Sequence, residues 1–155
     1  MIEISKNAWQ MPGAIKNETD IKRRKDTSMD AVVHFEIPVD NMARAKKFYK
    51  EIFGWELYDM PGDMGYTVVH TAPTDEKNML KEPGAINGGL TNRTEKNEAS
   101  VVVINVPSIE DYIKKIAKAG GKVVRPKVKV MDMGYYARVT DSEGNVIGIW
   151  ENIMK

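Results

Sequence analysis

His34 and Glu36 stand two residues apart in the run Ala31–Val39, AVVHFEIPV, where β-branched and aromatic residues alternate as in a strand. A spacing of two puts both side chains on one face. They offer a base that titrates near neutrality and a carboxylate, the groups that general acid–base chemistry uses. Tyr136 and Arg138 repeat that spacing further along. The guanidinium keeps its charge at any usable pH, and its planar fork suits a carboxylate or an enolate oxygen. Trp150 and Tyr136 add flat apolar faces. Gly88, Gly89 and Gly148 thin the wall where a ligand or a partner's side chain would otherwise clash. Each residue also has a plainer role: Glu36 and Arg138 can neutralise each other as a partly buried pair, and Tyr136 and Trp150 can serve as core or subunit-contact aromatics. Cysteine is absent, which excludes thiolate metal sites, disulfides and thiol nucleophiles.

Elements of regular spacing must hold these groups. The 155 residues suit one domain with a core of its own. No apolar run reaches the ~20 residues of a membrane span, and the N-terminus lacks a secretory core, so a soluble cytoplasmic protein is expected. The formal charge of +1 leaves no global basic footprint for nucleic acid. Residues 1–28 are polar, follow no sustained period and carry two net positive charges, including the run Lys22–Lys25. They read as an extension outside a domain at 29–155, one that could lie across a subunit contact.

After Pro38, Asp40 or Asn41 can cap a helix over 41–53 with Met42, Ala45, Phe48, Tyr49 and Ile52 on its apolar face. Strands are expected at Trp55–Asp59, Tyr66–Thr71 and about Ala85–Asn92. The order then recurs. A strand over Ala99–Val106 precedes a Ser108-capped helix over 108–119 with Ile109, Tyr112, Ile113 and Ile116 inward. Strands follow at Lys122–Arg125, Tyr135–Thr140 and Val146–Trp150. The tetrapeptide Asp-Met-Gly-Tyr opens the third strand of each half, at Asp63–Tyr66 and Asp132–Tyr135, 69 residues apart. An internal duplication with a period near 67 predicts an α+β fold of two tandem βαβββ modules, about 30–93 and 98–152. They share a cleft, with the helices outside.

The stretches VVHFEIPVDNMARAKKFYKEIFGW, INGGL and VTDSEGNVIGIWE carry a resemblance. Over residues 30–152 the chain resembles the vicinal-oxygen-chelate superfamily of glyoxalases, bleomycin-resistance proteins and extradiol dioxygenases. Within it, the chain is similar to an uncharacterised branch related to lactoylglutathione lyase. The resemblance implies metal ligands on the first and fourth strands of each module, holding an ion that acts as a Lewis acid. Those positions fall on His34, near Gly88, on Val101 and on Gly148. Only His34 carries a donor, so no resident metal is expected, with His34 a weak candidate ligand. Extradiol relatives place a cleft tyrosine where this chain has Arg138. Val139 and its repeat partner His70 should then face the helices.

Alternation lines the cleft with His34, Glu36, Val101, Val103, Tyr136, Arg138, Gly148 and Trp150, together with Gly88 and Leu90. Three functions fit that lining. The first is a small-molecule-binding protein without the usual metal, taking a small anionic or carbonyl-bearing ligand on Arg138, Tyr136, Trp150, Gly88 and Gly148. The second is a lyase or isomerase acting beside a carbonyl, metal-dependent or not. There His34 or Glu36 would be the general base, and Arg138 would stabilise an enolate-like charge. The third is a dimeric interaction module without ligand chemistry. Open edges on small half-sheets point to a homodimer in each case.

Overall fold

The computed structural model describes residues 29–62, 64–77 and 79–153. The extension at 1–28, with its basic run, and the Asp63 that opens the first repeat motif lie outside them. Eight strands and two helices follow one another as β1 (Val32–Val39), α1 (Met42–Phe53), β2 (Glu56–Asp59), β3 (Tyr66–His70), β4 (Gly88–Asn92), β5 (Val101–Asn105), α2 (Ile109–Lys118), β6 (Val123–Val130), β7 (Gly134–Thr140) and β8 (Val146–Asn152). This is βαβββ twice, an α+β fold. All eight strands join one mixed sheet in the order β2-β3-β4-β1-β5-β8-β7-β6. Each module pairs its first strand in parallel with its fourth, and the two first strands pair antiparallel at the centre. The antiparallel β1–β5 pair relates the modules by an approximate two-fold.

Both helices begin where a polar side chain accepts an orphan backbone N–H. The Asn41 side chain accepts from the Arg44 amide, and Ser108 accepts from the Asp111 amide. Both helices cover the same face. Met42, Ala45 and Tyr49 of α1 pack on Val39, Val69 and Leu90, and the Tyr49 ring stacks on Trp55 at 4.9 Å. Tyr112, Ile113 and Ile116 of α2 pack on Val106, Ala137, Val139 and Ile149. Fully burying a large apolar side chain, as at Leu90 and Ile149, contributes roughly 1.5–3 kcal/mol.

Two expectations need correction. Phe48 and Ile52 do not pack on the sheet; they are 52% and 63% exposed, at the margin and in the last turn of the α1 stripe. The sixth strand does not stop at Arg125 but runs through Pro126 to Val130. An edge strand tolerates proline, and the pairing with β7 shifts register on either side of Arg125. Among the described residues no helix is long and apolar enough to cross a membrane.

Candidate functional site

Register decides which side chains meet on the face opposite the helices. Phe35, Ile37 and Val39 of β1 turn toward the helices, which leaves His34 and Glu36 on the open side. Across the central pair His34 stands opposite Val103 and Glu36 opposite Val101. From β7, Tyr136 and Arg138 reach the same side, because Ala137 and Val139 belong to the α2 core. Gly148 and Trp150 of β8 are in register with Arg138 and Tyr136.

Arg138 is the hub. Its Nη2 donates to Glu36 Oε2 at 2.5 Å, its Nη1 to Glu98 Oε1 at 2.6 Å, and its Nε to the Tyr136 hydroxyl at 3.0 Å. That hydroxyl donates to Glu36 Oε2 at 2.7 Å. Glu36 and Arg138 are 8% and 5% exposed. Glu98 comes from the segment between the modules, where its Oε2 accepts from the Thr94 amide and hydroxyl. Burial alone would raise the Glu98 carboxyl; hydrogen bonds from Thr94 and Arg138 overcome it and hold the group below the usual glutamate range. The plainer reading of Glu36 and Arg138 is therefore the one the geometry supports. The guanidinium faces two carboxylates and a phenol already, which is what that reading requires. Glu36 is likewise engaged and covered, which leaves it poorly placed as a base.

Each half places a tyrosine over a glycine. The Tyr66 hydroxyl sits 2.0 Å from where a Cβ on Gly89 would be, and meets His34 Nε2 at 2.6 Å. The Tyr136 ring sits 2.8 Å from where a Cβ on Gly148 would be, and its hydroxyl goes to Glu36. An alanine at either glycine would force its tyrosine to shift. Tyr66, like Glu98, is a site residue that the sequence analysis does not single out. For Tyr66 the signal was available in its place on a strand beside a double glycine.

Three corrections follow from these contacts. A Cβ on Gly88 would strike the Phe35 ring at 2.4 Å, so Gly88 faces α1, as does buried Leu90. The β4 residue on the open face is Gly89. His70 also faces that side, because it shares it with Tyr66 and the residues between alternate. Its ring lies 5.1 Å from Tyr58 at the β2–β3 margin. The matching tetrapeptides align residues that lie on opposite faces. Tyr66 corresponds in space to Tyr136, whereas Tyr135 packs under α2.

A divalent ion at the inherited positions would draw on His34 and on β4, β5 and β8, which present Gly89, Val101, Val103 and Gly148. Glu36 is tied to Arg138. Among the described residues no three His, Asp or Glu side chains converge. The donor set does not fit the ion.

A groove of about 600 Å³ lies on the helix side, lined by Ile37, Arg44, Phe48, Tyr49 and Glu98 among others. It includes none of His34, Tyr66, Tyr136 or Trp150, and its Arg93 is paired with Asp40 at 3.0 Å. The reactive groups are on the other face.

The model of the glyoxalase/bleomycin-resistance protein/dioxygenase superfamily matches residues 31–149. The chain belongs to that superfamily. Its curated relatives include CFP32 of Mycobacterium tuberculosis and of Mycobacterium bovis, each provisionally named a glyoxylase. Each is 26% identical over 122 residues, covering 75% of this chain and 43% of the relative. The chain thus spans less than half the length of these relatives. Similar solved structures include methylmalonyl-CoA epimerase from Mycobacterium tuberculosis, with TM-score 0.55 and 13% identity over 79% of this chain and 87% of that one. A Streptomyces coelicolor methylmalonyl-CoA epimerase variant bound to 2-nitronate-propionyl-CoA has TM-score 0.56 and 13% identity, over 82% of this chain and 100% of its own. A Bacillus halodurans protein titled hypothetical, BH1468, has TM-score 0.55 and 16% identity over 81% and 96%. At these identities the likeness is one of fold.

Burial holds His34 below its ordinary value of 6.5, against a smaller opposing pull from Glu36. The unfolded chain therefore takes up the imidazole proton first, and stability falls as pH drops below about 6.5 toward the lowered folded value. His34→Gln removes this titration. Its urea midpoint should vary less than the wild-type midpoint between about pH 7 and 5. Parallel profiles for the two proteins would contradict the assignment.

Proposed function

We propose that the chain is a metal-independent small-molecule-binding protein whose ligand rests on the helix-free face against His34, Tyr66, Tyr136 and Trp150. One observation carries the reading. The charged groups at the centre of that face are buried and paired with each other, while the histidine, the tyrosines and the tryptophan around them keep part of their surface open to solvent. A mostly apolar surface with a few fixed hydrogen-bonding groups suits a small molecule. The fold neighbour that holds 2-nitronate-propionyl-CoA supports small-molecule binding on this scaffold.

A second reading, a lyase or isomerase acting beside a carbonyl, draws on His34. A neutral imidazole bonded to a hydroxyl at 2.6 Å can accept and return a proton. Glu36 then positions Tyr136 and Arg138 and does not act as the base.

Spectra of ¹⁵N-labelled, dialysed protein with a fragment library test both. Trp150→Phe assigns the Trp150 indole signal. Fragments carrying a carbonyl or hydroxyl should perturb that indole without added metal. Binding that requires added zinc or nickel would overturn the metal-independent reading. Deuterium uptake beside the carbonyl of a bound ketone, lost in His34→Gln, would decide for the enzyme.

We also propose a homodimer. Its support is the open edges of β2 and β6 and the uncovered Phe48, Ile52 and Phe53. Light scattering at micromolar protein should return twice 17.5 kDa. A mass near 17.5 kDa would refute it.

A further inference from the structure

Two carboxylates, Glu36 and Glu98, surround the single guanidinium of Arg138, so the buried network keeps one net negative charge. An anion entering the centre of the helix-free face would be desolvated against that charge. Arg125 stands in register with Arg138 on the edge strand, but it is exposed, and its charge is screened by solvent.

The half-buried groups at the same place are His34 and Tyr66. Burial first, and then the Glu36 charge, push the Tyr66 phenol well above its ordinary value, so it keeps its proton. Burial lowers the His34 imidazole below its ordinary value, which favours its neutral form at neutral pH. One proton lies between His34 Nε2 and the Tyr66 oxygen, 2.6 Å apart. If Nε2–H donates, the phenolic proton is free for a ligand acceptor. If the phenol donates to Nε2, its oxygen can accept from a ligand hydroxyl. The pair can thus serve either a carbonyl or a hydroxyl without a change of charge. Tyr136 and Trp150, adjacent in register, supply flat surface on the same face. The Trp150 indole is held by its Nε1–H, which donates to Asn152 Oδ1 at 2.8 Å.

Resting on the helix-free-face reading above, we infer that His34 and Tyr66 form a neutral hydrogen-bonding dyad. It takes the carbonyl or hydroxyl oxygen of an uncharged aromatic ligand and discriminates against the matching carboxylate. Arg138 is then a positioning residue that fixes Tyr136 and Glu36 and does not touch the ligand.

The probes are acetophenone and benzyl alcohol against benzoate, each titrated at millimolar concentration. The readouts are the Trp150 indole and the His34 ring nitrogens by ¹⁵N NMR. Acetophenone and benzyl alcohol should move both signals, and benzoate should move neither. Tyr66→Phe keeps the ring over Gly89 and should weaken acetophenone roughly five- to tenfold, the effect of one hydrogen bond. His34→Gln should reproduce that loss. Benzoate binding at Trp150 as tightly as acetophenone would overturn the preference for an uncharged ligand and leave the helix-free-face reading standing. Unchanged acetophenone affinity in both variants would overturn the dyad. No response of Trp150 to any of the three would overturn the inference and that reading together.

Discussion

A guanidinium held between two carboxylates organises this molecule. Arg138 belongs to the second module, Glu36 to the first and Glu98 to the segment that joins them. One cation therefore ties all three parts together on the face that the helices leave open. Arg93 reinforces the joint: its Nη2 donates to the Pro38 carbonyl at 3.0 Å, and its guanidinium also reaches the Glu98 carbonyl. Glu36 and Arg138 are nearly inaccessible, so each would be costly to leave without the others. In drawing Glu36 to itself, Arg138 also removes the carboxylate nearest His34 as a possible metal donor.

The two modules use one device to different ends. In each, a tyrosine from the third strand crosses a glycine of the fourth to reach β1. In the second module that tyrosine completes the Arg138 network. In the first it meets His34 and keeps a surface toward solvent. The scaffold is nearly symmetric and the chemistry is not. The asymmetry arises at β1, which supplies His34 to one tyrosine and Glu36 to the other.

Most of the scaffold was legible in the sequence, because helices and strands leave periodic traces. A cap at Asp40 or Asn41, the cap at Ser108, the stripe Ile109–Ile116 and the alternation through His34 and Glu36 were enough for two βαβββ modules. The pairing of Glu36 with Arg138 was open to inspection as the plainer of two alternatives. What failed was parity. A strand's face flips with a shift of one residue, and repeat motifs align letters, not faces. Asp-Met-Gly-Tyr matched Tyr66 to Tyr135, although Tyr136 is its counterpart in space, and so His70 was turned to the wrong side. Gly88 and Gly89 are identical in type, and only the Phe35 ring on one side and the Tyr66 hydroxyl on the other tell them apart. Glu98 lay in a charged connecting loop, where no period marks a residue that reaches inward.

The claim that Arg138 serves Glu36 and Glu98, and not a ligand, is tested most directly by a double-mutant cycle read in urea. Arg138→Leu alone strands buried carboxylate and should cost about 3–5 kcal/mol. Adding Glu36→Gln to it should cost less than the sum of the two single changes, with a coupling of roughly 1–3 kcal/mol. An Arg138→Leu protein within about 1 kcal/mol of wild type, with strictly additive effects, would contradict the account.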